Sequence, residues 1–241
     1  MIEVRRDRDI HREEGGWFTA RWHFSFDRYR DPQNMGIGPL RVFNDDRLVP
    51  GAVWPLHPHR DIEGLTYVVE GSFRHEDDQG NDGVLPAGSV QRMTLGSGAW
   101  HSEQNASQAE PMRFIQIWIL PHTADLPPSC EQRVFTEEDR TGQLLEVFSP
   151  KGGPGVEVHG DASVYVSRLP AGDRLKHDFA AGRGGYLYLI EGEVSLNGQL
   201  LHTGDAAKIS GEAMELEASA DSELILVDVP LHYQPVGVWA R

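Results

Sequence analysis

The sequence contains one cysteine, no long apolar run and little helical periodicity, and each absence excludes a class of protein. Cys130 has no second cysteine with which to form an intrachain disulfide, so the chain does not indicate an oxidising compartment. No segment approaches the roughly 20 continuous apolar residues of a membrane-spanning helix. Residues 1–8 lack the apolar core of a secretory signal. We therefore expect a cytoplasmic protein with no membrane segment.

Basic residues are also scarce. The chain has 22 lysines and arginines against 37 aspartates and glutamates, which gives a formal net charge of -15. The nearest approach to a basic patch is interleaved with acidic residues and consists of Arg5, Arg6, Arg8 and Arg12. An acidic surface is repelled by nucleic-acid phosphates but attracts basic protein surfaces. We expect no direct nucleic-acid partner, and a protein partner remains open.

Short segments rich in β-branched and aromatic residues make up most of the apolar sequence. They are bounded by glycine, proline, asparagine or aspartate, and they include residues 65–69, 112–120, 163–169 and 223–229. Many short strands separated by turn residues are typical of a β-sandwich or β-barrel. The sequence therefore predicts an all-β fold with few short helices.

An internal repeat indicates two barrels in tandem. The matched segments lie about 115–120 residues apart, and they are 49–51 with 169–172, 67–73 with 188–194, and 85–90 with 201–206. We expect an N-terminal metal-binding barrel at 1–125, a connecting segment at 126–160 made of loop with at most a short helix, and a second barrel at 161–241.

Two pairs of candidate metal ligands have the spacing of neighbours on one strand face. His57 and His59 form one pair, and His101 and Glu103 form the other. Residues two apart in a strand point to the same side. Pro58 cannot donate a ladder hydrogen bond, which favours an edge strand for the first pair. Three imidazoles and one carboxylate suit one divalent ion of Fe, Mn, Co, Ni, Cu or Zn.

These pairs lie within a longer pattern. Two motifs of the cupin superfamily resemble Gly51-x5-His57-x-His59-x3-Glu63 followed by Pro86-x-Gly88, and His101-x3-Asn105. Residues 57–63 and 96–103 are still more similar to pirins, which are bicupins. The resemblance implies two tandem, jelly-roll-like cupin barrels with the metal in the first, and it favours iron.

Two glutamates compete for the fourth ligand position. Many cupins have a ligand at the place of Glu63, whereas pirins have one at the place of Glu103. The closer pirin resemblance favours Glu103. Glu63 would then hydrogen-bond a ligand imidazole and fix its tautomer, or it would be a rim charge paired with Arg60.

The second copy lacks the ligand set. His177 matches His57, but the places of the other three predicted ligands are taken by Phe179, Met214 and Leu216. We expect a metal-free second barrel in which His159, His177 and His202 are ordinary surface or core residues.

Other conspicuous side chains are interpreted as structural. His75 has no partner at ligand spacing in this interpretation, and Cys130 is a buried or loop thiol. The tryptophans predicted as barrel core are Trp17, Trp22, Trp54, Trp100 and Trp118, with Trp54 and Trp100 as the two exceptions to watch because each lies within three residues of a predicted ligand.

The pirin resemblance implies a quercetinase-like activity, in which O2 cleaves the ring of a small aromatic flavonol such as quercetin. Glu103 or Glu63 would take the proton of the substrate hydroxyl. One alternative is a metal-containing regulatory protein that acts through protein partners without catalysis. Another is a sugar or small-molecule isomerase, since cupins also support that chemistry.

Overall fold

A computed structural model describes residues 1–240 as 22 β-strands and three short 3-10 helices. The first twelve strands are β1 (Ile2–Arg5), β2 (His11–Glu14), β3 (Phe18–Trp22), β4 (Leu40–Leu48), β5 (Val53–His59), β6 (Glu63–Glu70), β7 (Ser72–Asp77), β8 (Asp82–Pro86), β9 (Ser89–Thr94), β10 (Ala99–Asn105), β11 (Met112–Ile119) and β12 (Ser129–Val134). The other ten are β13 (Leu145–Ser149), β14 (Val156–Glu157), β15 (Ser163–Leu169), β16 (Arg174–His177), β17 (Arg183–Glu191), β18 (Glu193–Leu196), β19 (Gln199–His202), β20 (Ala206–Ser210), β21 (Met214–Ala218) and β22 (Ser222–Pro230). The helices are Asp7–Asp9, Glu138–Arg140 and Gly237–Trp239, and none in the described chain is long and apolar enough to cross a membrane.

The chain divides into two compact units. The N-terminal barrel consists of residues 11–135, 158–160 and 234–240, and the C-terminal barrel consists of 1–10, 136–157 and 161–233. Each contains one seven-stranded and one four-stranded sheet. The predicted all-β fold of two cupin-like barrels is confirmed.

The same strand order occurs in both barrels. In the N-terminal barrel the sheets run β12-β9-β6-β11-β4-β3-β2 and β5-β10-β7-β8. In the C-terminal barrel they run β1-β20-β17-β22-β15-β13-β14 and β16-β21-β18-β19. Each strand number in β5-β10-β7-β8 and in β9-β6-β11-β4, increased by eleven, gives the corresponding strand of the C-terminal barrel. The sequence repeat is therefore a repeat of topology.

The core of each barrel lies between its two sheets. In the C-terminal barrel, Met214, Leu216 and Ala218 on β21 are buried and alternate with exposed glutamates. They pack with Leu187 and Leu226 from the opposite sheet. This alternation is the period-two pattern of a strand with one face on a core.

The repeated Glu-Gly step marks the same turn in both barrels. Gly71 and Gly192 have φ angles of 81° and 101°, a region that glycine adopts without strain. A Cβ on Gly71 would lie 2.5 Å from the carbonyl oxygen of Pro111. Conformation and space therefore both require glycine here.

The two units differ from the expected ranges 1–125, 126–160 and 161–241 because they are discontinuous. β1 pairs with β20 and so joins the C-terminal barrel, in the position that β12 occupies beside β9. Residues 158–160 and 234–240 group with the N-terminal barrel. Pairing between distant segments determines these memberships, and chain order alone does not show it.

The connecting segment also differs from the expected loop. Residues 126–160 contain β12, β13 and β14 in addition to the helix at Glu138–Arg140. β12 extends the sheet of the N-terminal barrel, whereas β13 pairs with β15 of the C-terminal barrel. The sequence did not predict these strands because the segment is rich in turn residues and the strands are stabilised by pairing with other strands of the two sheets.

Candidate metal centre

Strands β5 and β10 bring the two predicted ligand pairs together. They are antiparallel neighbours, with His101 opposite His57 and Ala99 opposite His59. The register shifts between His101 and Glu103. β5 is the edge strand of its sheet, as Pro58 predicted.

The three histidines form a compact cluster. The ring centroids are 4.8 Å apart for His57 and His59, 4.5 Å for His57 and His101, and 5.3 Å for His59 and His101. One ring nitrogen from each lies within 4.8 Å of the other two. Such a group can converge on a single ion with small side-chain adjustments.

The hydrogen bonds of the cluster leave nitrogen lone pairs available. Nδ1 of His57 lies 2.7 Å from the carbonyl oxygen of Pro55, so it donates its proton there and leaves Nε2 as an acceptor. Among the described residues, neither ring nitrogen of the buried His101 has a hydrogen-bond partner. Buried polar atoms without partners are costly, and a bound metal ion would satisfy one of these two nitrogens.

Burial also keeps the imidazoles neutral, as metal ligation requires. It lowers the pKa of His101 to about 2 and that of His59 to about 4, and neighbouring histidines add to both decreases. Burial lowers the pKa of His57 as well, although its bond to Pro55 acts in the opposite direction.

Glu103 lies on β10 in the same barrel and is buried. One of its oxygens, Oε1, has no hydrogen-bond partner in the described chain, and burial raises the pKa of the carboxyl group to about 7. Glu103 is not part of the 4.8 Å histidine cluster. Its buried, unpartnered oxygen nevertheless resembles the nitrogens of His101 in needing a cation or a donor.

Glu63 lies at the start of β6 and is fully buried. Its carboxylate accepts hydrogen bonds from the backbone N–H groups of His159 and Gly160 at 2.7 and 2.8 Å. It also contacts Nδ1 of His159 at 2.9 Å and the hydroxyl of Thr94 at 3.2 Å. This differs from the expected bond to a ligand imidazole and from the expected pairing with Arg60, which instead bonds Asp125.

A cavity of about 640 Å³ lies in the N-terminal barrel. Its aromatic lining includes Trp17, Trp22, Phe26, Trp54, Trp118 and Trp239, and its basic lining includes Arg28, Arg30 and Arg41. The ring of Trp118 lies 4.5 Å from that of His59, which connects the cavity wall with the histidine cluster.

The interpretation of the tryptophans as core is therefore right only in part, since Trp17 and Trp54 pack against the core of this barrel and also line the cavity. Trp22 is 2% exposed and fits the core, but Trp100 is 47% exposed. Trp17, Trp54 and Trp118 are partly buried and line the cavity. The sequence shows that these residues are large and apolar but does not show whether they face a core or a cavity.

Sequence reasoning also missed two neighbours of the histidine cluster. His75 lies on β7 beside β10, with its ring centroid 5.8 Å from that of His101. It has Asp77 at i+2, the same spacing that identified the other pairs, so the statement that it lacks a partner is wrong. Trp118 could not have been found, because only the fold brings it to His59.

The C-terminal barrel has a different cluster at the corresponding place. His177 lies opposite Met214, as His57 lies opposite His101. Nε2 of His177 is 2.7 Å from Asp228 Oδ2, and Nε of Arg183 is 2.7 Å from Oδ1 of the same carboxylate. The register agrees with the sequence alignment of the two copies.

Comparison with known proteins identifies relatives of both barrels. Residues 3–119 match the family described as Pirin, and residues 146–229 match the quercetinase C-terminal cupin domain. A protein of Escherichia coli K12 named quercetin 2,3-dioxygenase is 39% identical over 233 residues, which cover 95% of this chain and 99% of the relative. A pirin-like protein of Caulobacter vibrioides is 40% identical over 216 residues, covering 88% and 93%. The structure of bacterial pirin YhhW from Escherichia coli in complex with nickel(II) has a TM-score of 0.89 and 37% identity, covering 98% of this chain and all of that one.

Proposed function

This chain belongs to the pirin family, and on that premise we propose that it is a metal-dependent dioxygenase that cleaves the ring of a flavonol such as quercetin with O2. The observation that carries the proposal is the cluster of three neutral histidines beside an aromatic cavity in the N-terminal barrel. The name of the Escherichia coli relative supports the same reaction.

The proposed ligands are His57, His59 and His101, with Glu103 as the fourth. The unpartnered buried atoms of His101 and Glu103 support this set. The bound divalent metal would supply redox chemistry and coordination positions for O2 and for the substrate oxygen. We propose iron as the native ion, and the same donors suit nickel, the ion bound in the Escherichia coli pirin structure.

We assign the proton acceptor for the substrate hydroxyl to Glu103. Its Oε1 is buried without a hydrogen-bond partner, and the carboxylate would accept the proton by dissociating from the metal. Glu63 is the less suitable base because its oxygens already accept bonds from His159, Gly160 and Thr94. Protonation of Glu63 would weaken these contacts.

The cavity suits a flat aromatic substrate. Its volume of about 640 Å³ lies in the range of small-molecule sites. Trp54 and Trp118 offer ring surfaces, and Arg30 and Arg41 offer positive charge for a phenolate oxygen.

The test is to follow quercetin absorbance and O2 uptake with the metal-loaded protein under air and under nitrogen. We expect turnover only under air, and we expect His101→Ala to abolish it. His202→Ala, which removes an exposed imidazole of the C-terminal barrel, is the matched control and should retain full activity. Absence of turnover with every first-row metal, despite stoichiometric binding, would contradict the proposal.

That outcome would favour the second candidate, a metal-containing regulatory protein. The observation that supports it is the net charge of -15, which would attract a partner with a basic surface. Such binding would weaken steeply with added salt.

A further inference from the structure

We propose that His75, Asp77 and Cys130 form a second metal site in the N-terminal barrel, suited to a borderline divalent ion such as Zn²⁺. One ligand atom from each residue lies within 4.8 Å of the other two. None of these residues belongs to the His57, His59 and His101 cluster. The inference does not depend on the flavonol reaction.

Two strands supply the three donors. His75 and Asp77 lie two residues apart on β7, so they share a strand face. Cys130 lies on β12, where it is paired with Met93 of β9. The second site thus uses the same i, i+2 arrangement as the first and completes it with a residue from another sheet.

Among the described residues, the ring of His75 has no strong hydrogen-bond partner. The residue is fully buried, and its Nδ1 has no hydrogen-bond partner in the described chain. Its Nε2 lies 2.8 Å from the thioether sulfur of Met93, which is only a weak acceptor. A buried imidazole with one orphaned nitrogen is costly, and ligation of a metal would remove that cost.

Asp77 is held in place by the loop that follows β7. Its Oδ1 accepts hydrogen bonds from the backbone N–H groups of Gln79 and Asn81, each at 2.9 Å. Its Oδ2 accepts one from the side-chain amide of Asn81 at 2.8 Å. Each carboxylate oxygen has two lone pairs, so a position for a metal remains. Hydrogen bonds from residues that do not bind the metal themselves orient ligating carboxylates in this way.

The donor set differs chemically from that of the first site. One imidazole, one carboxylate and one thiol match the ligands of Zn²⁺, and a thiolate selects borderline and soft ions. Burial raises the pKa of the Cys130 thiol to about 11. A divalent cation favours the thiolate, so binding should release a proton and strengthen as the pH rises.

The test uses the fact that Cys130 is the chain's only cysteine. Every thiolate signal therefore reports on this site alone. Metal-free protein is titrated with Co²⁺, and the near-ultraviolet band of cobalt–thiolate charge transfer is recorded. Zinc content is measured in parallel after the protein is loaded with Zn²⁺ and dialysed.

We expect a thiolate band and about two zinc ions per wild-type chain. Cys130→Ser should abolish the band and reduce the content to one ion, with the visible cobalt spectrum of the histidine cluster unchanged. His75→Gln and Asp77→Asn should each lower the affinity of the second ion by about 100-fold or more, since even outer contacts of a ligand contribute 10–100-fold.

Two outcomes would overturn the proposal. One is a wild-type protein that binds a single ion and shows no thiolate band. The other is a band that persists at full affinity in both His75→Gln and Asp77→Asn. Cys130→Ala provides a second thiol-free variant, and thermal unfolding verifies that each variant is folded.

Discussion

The two barrels contain a corresponding pair of neighbouring strands, β5 with β10 in the first and β16 with β21 in the second, but they place different side chains on it. In the N-terminal barrel His57 faces His101, and both lack a carboxylate partner among the contacts described above. In the C-terminal barrel His177 faces Met214, and Asp228 bonds its ring. The register is the same in both. The fold therefore provides the same position in both barrels, and the side chains decide whether a histidine cluster or an ionic cluster forms there.

The comparison also explains why only one barrel has unpartnered buried atoms at this place. In the C-terminal barrel, Asp228 accepts bonds from both His177 and Arg183. Met214 and Leu216 are part of the apolar core. The polar groups are satisfied without a ligand. The N-terminal barrel retains unsatisfied groups at the same place, which fits the proposed ligand site.

The largest effect on metal binding is expected when a histidine of the N-terminal barrel is replaced by its counterpart in the C-terminal barrel. His101→Met should lower metal affinity by more than about 100-fold, because two histidines remain and a thioether is a poor ligand for these ions. Metal content after dialysis and flavonol turnover are the measurements. Met214→Leu, a change in the counterpart residue, should alter neither. Stoichiometric metal in His101→Met would show that the ligand assignment is incorrect.

A second prediction concerns the ionic cluster of the C-terminal barrel, which consists of His177, Arg183 and Asp228. Asp228→Asn should reduce the free energy of unfolding by about 3 kcal/mol, because a neutral amide replaces the carboxylate that bonds both His177 and Arg183, while Arg183 keeps its ion pair with Asp161. Asp178→Asn is the control, since the Asp178–Lys176 pair is exposed and should contribute little to stability. Denaturant unfolding gives the values, and metal content should stay constant. Equal stability of both variants would contradict a structural role for the cluster.

A third prediction concerns Glu103, whose counterpart is Leu216. Burial raises its pKa from 4.5 to about 7 in the metal-free protein, so between these pH values the folded state binds more protons than the unfolded state. The contribution of Glu103 to the free energy of unfolding, up to about 3 kcal/mol, is therefore fully present below pH 4.5 and is lost as the pH rises through 7.

Glu103→Gln should remove this loss. The unfolding free energy of the variant minus that of the wild type should grow between pH 4.5 and 8 when both are metal-free. Metal-loaded wild type is the control, because a cation favours the carboxylate and should flatten the pH dependence. Parallel pH profiles of the two metal-free proteins would disagree with this account.

The smallest expected effect distinguishes the two glutamates. Glu63→Gln should cost about 2 kcal/mol of unfolding free energy, because a neutral amide oxygen accepts the N–H groups of His159 and Gly160 more weakly than a carboxylate does. Its metal content should match that of the wild type. Alignment of the repeats gives the C-terminal barrel Gly184 at this position, so Glu63 has no counterpart there. Loss of metal from Glu63→Gln, with Glu103→Gln unaffected, would reverse the assignment of the fourth ligand.

The features that were predictable from sequence depend on short spacings and on repetition. Strand parity within His57-Pro58-His59 and the edge position of Pro58 follow from the strand itself. The repeat predicted that Met214 replaces His101, and the strand register agrees. These inferences need no knowledge of which strands pair.

The features that were not predictable depend on distant segments. Glu63 contacts His159 across 96 residues of chain, and no local pattern pairs them. The approach of Trp118 to His59 follows from the arrangement of two sheets. The second candidate site requires Cys130 to reach β7 from another sheet. Its His75-x-Asp77 half was visible in the sequence, but its thiol half was not.

The pairing of β1 with β20 has a consequence for synthesis. Residues 2–5 leave the ribosome about 200 residues before residues 206–209, their partners. At roughly 5–20 residues per second, the strand waits on the order of 10–40 seconds for its place in the sheet. During that interval the nascent chain contains strands β2–β12 of the N-terminal barrel and an unpaired strand edge, a template for pairing with other chains. Dimerisation or chaperone binding during translation should therefore depend on residues 2–5, although these residues lie far from either candidate metal site in the sequence.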